Sequence, residues 1–132
     1  MVMSRMFADI HTHILPFMDD GAESYEEALE MLRMMESNGV THVVATPHFS
    51  FDKNNQDEFI RNRKVVLKNL RIKVKEENIN IAILGSAELM YSSSLHTKDL
   101  EEFVIEGTDY LLIELSTRRD HPSLEDTMYR II

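Results

Sequence analysis

Four short apolar runs alternate with helical patterns along this chain, and each run ends at or just before a histidine or a glutamate. Met6–Ile10 stops where His11 and His13 begin, and Val40–Thr46, β-branched and mostly apolar, is broken by Pro47 just before His48. Ile79–Leu84 is followed by Gly85-Ser-Ala-Glu88, and Tyr110–Glu114 closes on its own glutamate. Runs this short and this apolar predict strands buried on both faces.

The intervening segments predict helices. Ser24 with Glu27 forms a capping-box pattern, Tyr25, Ala28, Leu29, Leu32 and Met35 recur at helical spacing, and Asn38-Gly39 ends the element. Asn55 with Glu58 starts a longer helix with Phe59, Val66, Leu70 and Val74 inside. Seven basic residues between Arg61 and Lys75 read as a solvated helix face, which is commoner than an anion-binding patch. Asp99–Phe103 predicts a short helix, and Ser123 with Asp126 opens a last one. The order β-α-β-α-β-α-β-α implies parallel strands joined by right-handed crossovers.

In such α/β folds sites gather at the carboxyl ends of the strands. His11, His13, His48, Glu88 and Glu114 all fall there, from four different runs. Residues two apart on an extended strand point to the same side, so His11 and His13 can approach one ion. Imidazole with carboxylate is the ligand set of Zn²⁺, Mn²⁺ or Fe. Asp19-Asp20-Gly21 can supply a further carboxylate, although by itself it reads as a turn. His42 lies at the wrong end of its strand for such a site, and His96 and His121 read as loop residues.

Composition narrows the chemistry. With 0 cysteines there is neither a disulfide framework nor a thiolate, so a cysteine nucleophile is excluded and the chain suits a reducing, cytoplasmic setting. A net charge of -9 argues against nucleic acid as a general partner. No apolar run approaches a membrane span, so no membrane insertion is expected. At 132 residues and 43% hydrophobic the chain is expected to form one domain.

Asp9-Ile-His-Thr-His-Ile-Leu-Pro16 with Asp19-Asp20-Gly21, Ala45-Thr-Pro-His48, Gly85-Ser-Ala-Glu88 and Tyr110-Leu-Leu-Ile-Glu114 resemble the opening motifs of the polymerase-and-histidinol-phosphatase (PHP) superfamily. The match is nearest to its bacterial tyrosine-protein phosphatase branch, the manganese-dependent enzymes of capsule and exopolysaccharide synthesis. The resemblance implies a distorted (β/α)₇, TIM-like barrel with two or three Mn²⁺ ions, or Zn²⁺ or Fe in their place. It implies hydrolysis of phosphotyrosine on a partner tyrosine kinase. By motif match, His11 and His13 hold one ion, Glu88 bridges, Asp20 and His48 serve another, and Glu114 completes the set.

The family's two later motifs, a His-Pro-Glu-Arg after the next strand and a second Asp-x-His near the family's end, are not found in residues 1–132 beyond the Asp9-Ile-His11 of the opening motif. The expectation is therefore an incomplete PHP domain, a partial barrel that self-associates through its open edge. Weak turnover is expected of it; Arg118-Arg119, the one loop arginine pair on the strand-end side, reads as a solvated pair more readily than as a phosphate grip. Two alternatives are a non-catalytic metal-binding remnant or interaction module, and a small-molecule phosphoesterase resembling histidinol phosphatase.

Overall fold

Side-chain caps decide where the first two helices begin. The computed structural model describes residues 5–132. Helix α1, Tyr25–Ser37, starts at Ser24, whose Oγ accepts the Glu27 N–H at 3.1 Å. Glu27 accepts in turn from the N–H of Glu23, one residue outside the usual box. Gly39, at φ +88°, turns the chain away where a side chain would be strained. Helix α2, Gln56–Glu76, is capped by the Asn55 side chain, which accepts from the Glu58 N–H at 2.9 Å.

The buried faces of both helices carry the expected residues: Ala28, Leu29 and Leu32 from α1, and Phe59, Val66, Leu70 and Val74 from α2. Tyr25 and Met35 pack against the same core and stay partly exposed. The basic run is a solvated face as expected, with Arg61, Lys64, Lys68, Arg71 and Lys75 exposed, and Arg63 is its exception. It is buried, and its guanidinium donates to the carbonyls of Ser86 and Glu102, each at 2.8 Å. A side chain with five donors can satisfy two stranded carbonyls at once, which no aliphatic residue on that face could do. Arg71 likewise donates to the Ile83 carbonyl.

The four apolar runs, with the residues just past two of them, form six strands: β1 Ala8–Thr12, β2 His42–Ala45, β3 His48–Phe49, β4 Ala82–Gly85, β5 Glu88–Met90 and β6 Leu112–Glu114. They make two three-stranded sheets, β1-β2-β4 and β3-β5-β6, and every pairing is parallel. The second and third runs supply β2 and β4 to the first sheet, and the residues just past each supply β3 and β5 to the second. Pro47 has no N–H for the ladder and ends the second run between β2 and β3. Ser86-Ala87 plays the same part between β4 and β5. His48 and Glu88 therefore open short strands of their own, a correction to their expected place in loops past a strand end. His11 likewise lies inside β1.

The seam between the sheets is closed by buried polar bonds. Thr12 Oγ1 donates to the Val44 carbonyl at 2.7 Å, Thr46 Oγ1 donates to the Thr12 carbonyl at 3.1 Å, and Ser86 Oγ donates to the Phe103 carbonyl at 3.1 Å. One core, aliphatic, lies between the first sheet and the two helices. A second, aromatic, surrounds Phe49, Phe59 and Phe103 under the second sheet, and Met18 packs against both.

The third connection differs from expectation. It holds two 3₁₀ turns, Leu95–Thr97 and Glu101–Phe103, in place of an α-helix. Short polar side chains compete for the backbone there, since Thr97 Oγ1 donates to the Ser94 carbonyl and Asp99 Oδ1 accepts the Glu101 N–H. Helix α3, Leu124–Ile131, follows Ser123, whose hydroxyl bonds the Tyr91 hydroxyl at 3.1 Å instead of capping the helix. Among the described residues no helix is long and apolar enough to cross a membrane.

Candidate metal centre

The end of β1 is irregular, and the irregularity presents the histidines. Register with β2 runs Ala8↔His42 and Asp9↔Val43, then slips so that Thr12 faces Ala45. His11 sits in this bulge with its N–H donated to Asp9 Oδ1 at 3.1 Å. Bulges redirect the side chains they carry. The rings of His11 and His13 are 5.3 Å apart, with their Nε2 atoms at 3.3 Å.

The Asp-Asp-Gly segment is a turn and a part of the site at once. Asp19 Oδ1 accepts the Gly21 N–H at 2.9 Å, an Asx turn. Its Oδ2 takes His13 Nδ1 at 2.8 Å and the His48 N–H at 3.1 Å. Gly21 lies so close to His13 that a Cβ built on it would stand 2.2 Å from the His13 carbonyl oxygen, so only glycine fits. Asp20, the residue expected as a ligand, is largely exposed and reaches His48 Nε2 at 3.8 Å.

Glu88 is the centre of the cluster. Its Oε2 stands 3.1 Å from His11 Nε2, 3.0 Å from His13 Nε2 and 3.3 Å from His48 Nδ1. Glu114 Oε2 meets the same His48 Nδ1 at 3.3 Å. All six sequence-predicted site residues thus come together in three overlapping groups: His11, His13 and Glu88; His48, Glu88 and Glu114; and His13, Asp19, Asp20 and His48. Despite its three nitrogen neighbours, Glu88 Oε2 is buried with no hydrogen bond. A buried carboxylate oxygen without a donor is costly, and a cation among these nitrogens would satisfy it. The donor set, nitrogen and oxygen with no sulfur, fits a divalent transition metal.

Burial acts most strongly on His13 and by itself would lower its pKa. The Asp19 hydrogen bond and the charges of Asp19, Glu88 and Asp20 outweigh it, and the imidazole pKa is raised above its ordinary value. For Asp19, burial pushes upward, but the bonds from His13, Gly21 and His48 prevail and hold the carboxyl below the usual range. Asp19 is the residue that sequence reasoning passed over. Its signal was its position two before Gly21, but two adjacent aspartates do not announce which of them turns toward the histidines.

His42 and His121 stand apart from the cluster, with His42 Nδ1 bonded to Thr41 Oγ1 and His121 Nε2 to the Ser116 carbonyl, both at 2.8 Å. His96 lies on the first 3₁₀ turn. Arg119 lines a separate depression with Lys53, Met90 and Ser116.

Comparison with known proteins places the chain in a family. The family described as capsular polysaccharide synthesis, CpsB/CapC, matches residues 7–132. CapC of Staphylococcus aureus is 33% identical over 109 residues, covering 80% of this chain and 42% of that protein. Tyrosine-protein phosphatase YwqE of Bacillus subtilis is 33% identical over 110 residues, with the same 80% and 42% coverage. Tyrosine-protein phosphatase CpsB of Streptococcus agalactiae is 28% identical over 130 residues, covering 94% and 51%. Crystal structures of YwqE from Bacillus subtilis and CpsB from Streptococcus pneumoniae, described as unique metal-dependent tyrosine phosphatases, give a match with TM-score 0.81 and 26% identity. That match covers 95% of this chain and 51% of the other. The chain spans about half the length of the curated relatives it matches, between 42% and 51%. With the family pattern running from residue 7 to residue 132, the chain belongs to the CpsB/CapC family of capsular polysaccharide synthesis.

Proposed function

We propose that this chain carries the metal centre of a manganese-dependent protein-tyrosine phosphatase that acts on a bacterial tyrosine kinase in capsule or exopolysaccharide synthesis. The observation that carries the reading is the buried, unbonded Oε2 of Glu88, ringed by nitrogens of His11, His13 and His48. Family membership and the phosphatase names of YwqE and CpsB support the substrate class. The parallel strands form part of a distorted (β/α)₇ barrel in this reading. Its open edge, lined by β6 with Tyr110 and Leu115 exposed, pairs with a second copy.

Each side chain has a role that follows from its place. Asp19 accepts from His13 Nδ1, which fixes that ring's proton and leaves Nε2 with its lone pair toward Glu88. His11, His13 and Glu88 form one group that would hold a divalent ion, and His48, Glu114, Asp20 and the same Glu88 carboxylate would hold metal beside it. Bound there, Mn²⁺, or Zn²⁺ or Fe in its place, supplies Lewis-acid charge against phosphoryl oxygens and acidifies water. The carboxylates orient water toward phosphorus and accept its proton. No protein nucleophile is needed, and the chain has 0 cysteines to offer one.

Titration with Mn²⁺ followed by electron paramagnetic resonance, together with hydrolysis of a phosphotyrosine peptide and of histidinol phosphate, tests the proposal. Expected are saturable Mn²⁺ binding lost in Glu88→Gln and peptide hydrolysis lost in His11→Ala. Binding that survives Glu88→Gln, or preference for histidinol phosphate, overturns it.

A further inference from the structure

Within the loop that joins the histidine strand to α1, one residue is both strained and exposed. Ile14 and Leu15 are 0% and 1% exposed and Pro16 is fully buried, yet Phe17 is 68% exposed. The chain reverses there through the left-handed region, with Phe17 at φ +65°. That conformation suits glycine and is strained for a bulky aromatic residue. Among the described residues Phe17 is the only exposed large hydrophobic residue with a positive φ. Asn78 is the other non-glycine residue with positive φ, and asparagine tolerates it.

The strain holds the ring beside the candidate metal centre. Phe17 lies four residues after His13 and two before Asp19. With Met18, His48, Lys53, Asn55 and Phe59 it lines a depression of about 230 Å³. Tyr25 braces it edge-on, ring centres 5.7 Å apart, and Tyr25 is itself fixed by a bond from Asn69 to its hydroxyl. A braced ring in this position offers a partner for a second ring, since aromatic pairs favour edge-on and offset contacts. Lys53 and Glu58 share the same wall, a positive charge beside a negative one.

We propose that Phe17 is a specificity-determining platform for the aryl ring of an aryl phosphate whose phosphoryl group is held at the His11–His13–His48–Glu88 cluster. This rests on the metal-centre reading and adds the ring contact to it. The platform discriminates aryl from non-aryl phosphates by stacking, and strained backbone at Phe17 is what aims it.

The test is calorimetric binding of inorganic phosphate and of phenyl phosphate to the whole 132-residue chain loaded with Mn²⁺. It compares the wild type, Phe17→Gly, which relaxes at this φ, and Phe17→Tyr, which keeps a ring. Expected is tighter binding of phenyl phosphate than of inorganic phosphate in the wild type, by about three- to tenfold. The preference should vanish in Phe17→Gly and persist in Phe17→Tyr, with inorganic phosphate binding unchanged in both. Phosphate binding without an aryl preference, or a preference that survives Phe17→Gly, overturns this inference alone. Failure of both ligands to bind overturns the metal-centre reading and this inference with it.

Discussion

The two sheets are made of similar short parallel strands, but different forces hold them. In β1-β2-β4 the ladder between β2 and β4 runs four residues, His42↔Ala82 to Ala45↔Gly85, over an aliphatic core sealed by two long helices. In β3-β5-β6 the ladders are two and three residues long, and β6 is only half-buried. That sheet depends on stacked aromatics, with Phe49 and Phe103 4.7 Å apart, and on Arg63 tying α2 to the Ser86 and Glu102 carbonyls. The candidate metal centre straddles the two. His11 comes from the first sheet and His13 from the residue just past its strand β1, and His48, Glu88 and Glu114 come from the second. A scaffold for the histidine pair is thus secured by burial, while the shared carboxylate sits on strands too short to hold themselves.

If the second sheet depends on its aromatic stack, Phe103→Ala should have the largest effect, with a stability loss of about 3–5 kcal/mol in urea unfolding. Mn²⁺ affinity should fall with it. Leu32→Ala in the aliphatic core should cost a similar amount of stability while sparing the affinity of the folded fraction. Equal effects of the two on metal binding would erase the distinction between the sheets.

Arg63→Met keeps the apolar stem and removes the donors to two carbonyls, for an expected loss of about 3 kcal/mol by the same measurement. Glu88→Gln sharpens the comparison at the seam. It should abolish saturable Mn²⁺ binding, a loss of at least about 100-fold in affinity or about 2.7 kcal/mol, while the metal-free chain forfeits no hydrogen bond at Oε2. Asp19→Asn, which leaves the turn in place but weakens the grip on His13, should reduce Mn²⁺ affinity by about tenfold.

The smallest effect is expected below the seam, where β4 meets the loop before β6. The Gly85 N–H, and then the Arg71 guanidinium against the opposing effect of burial, hold the Glu106 carboxyl below its ordinary range. A lowered carboxylate pKa contributes stability above the unfolded value and loses it as pH falls through the folded value. Thermal unfolding should therefore show Glu106→Gln less stable than wild type at neutral pH, with the gap closing below about pH 4.5. The partners are half-exposed, so the gap should be small. A gap that widened in acid would reverse the assignment.

Local rules made much of this legible in the sequence. The caps at Ser24 and Asn55, the inner faces of α1 and α2, the apolar runs, and the clustering of His11, His13, His48, Glu88 and Glu114 depend on spacing and side-chain type within a few residues. Asp20 was legible only as one of two candidates, and the structure gives the central bonds to Asp19.

What only the tertiary structure decided are matters of which partner lies across the fold. The division of the strands between two sheets was signalled by Pro47 but settled by the bonds of Thr12 and Thr46 across the seam. Burial of Arg63 required carbonyls at Ser86 and Glu102, 23 and 39 residues away. Ser123 lost its capping role to Tyr91, 32 residues back. Hydrophobic period and capping are properties of neighbours in the chain, so a sequence displays them directly. The fate of a charge or a hydroxyl depends on which distant acceptor the folded backbone brings within about 3 Å, and no local pattern records that.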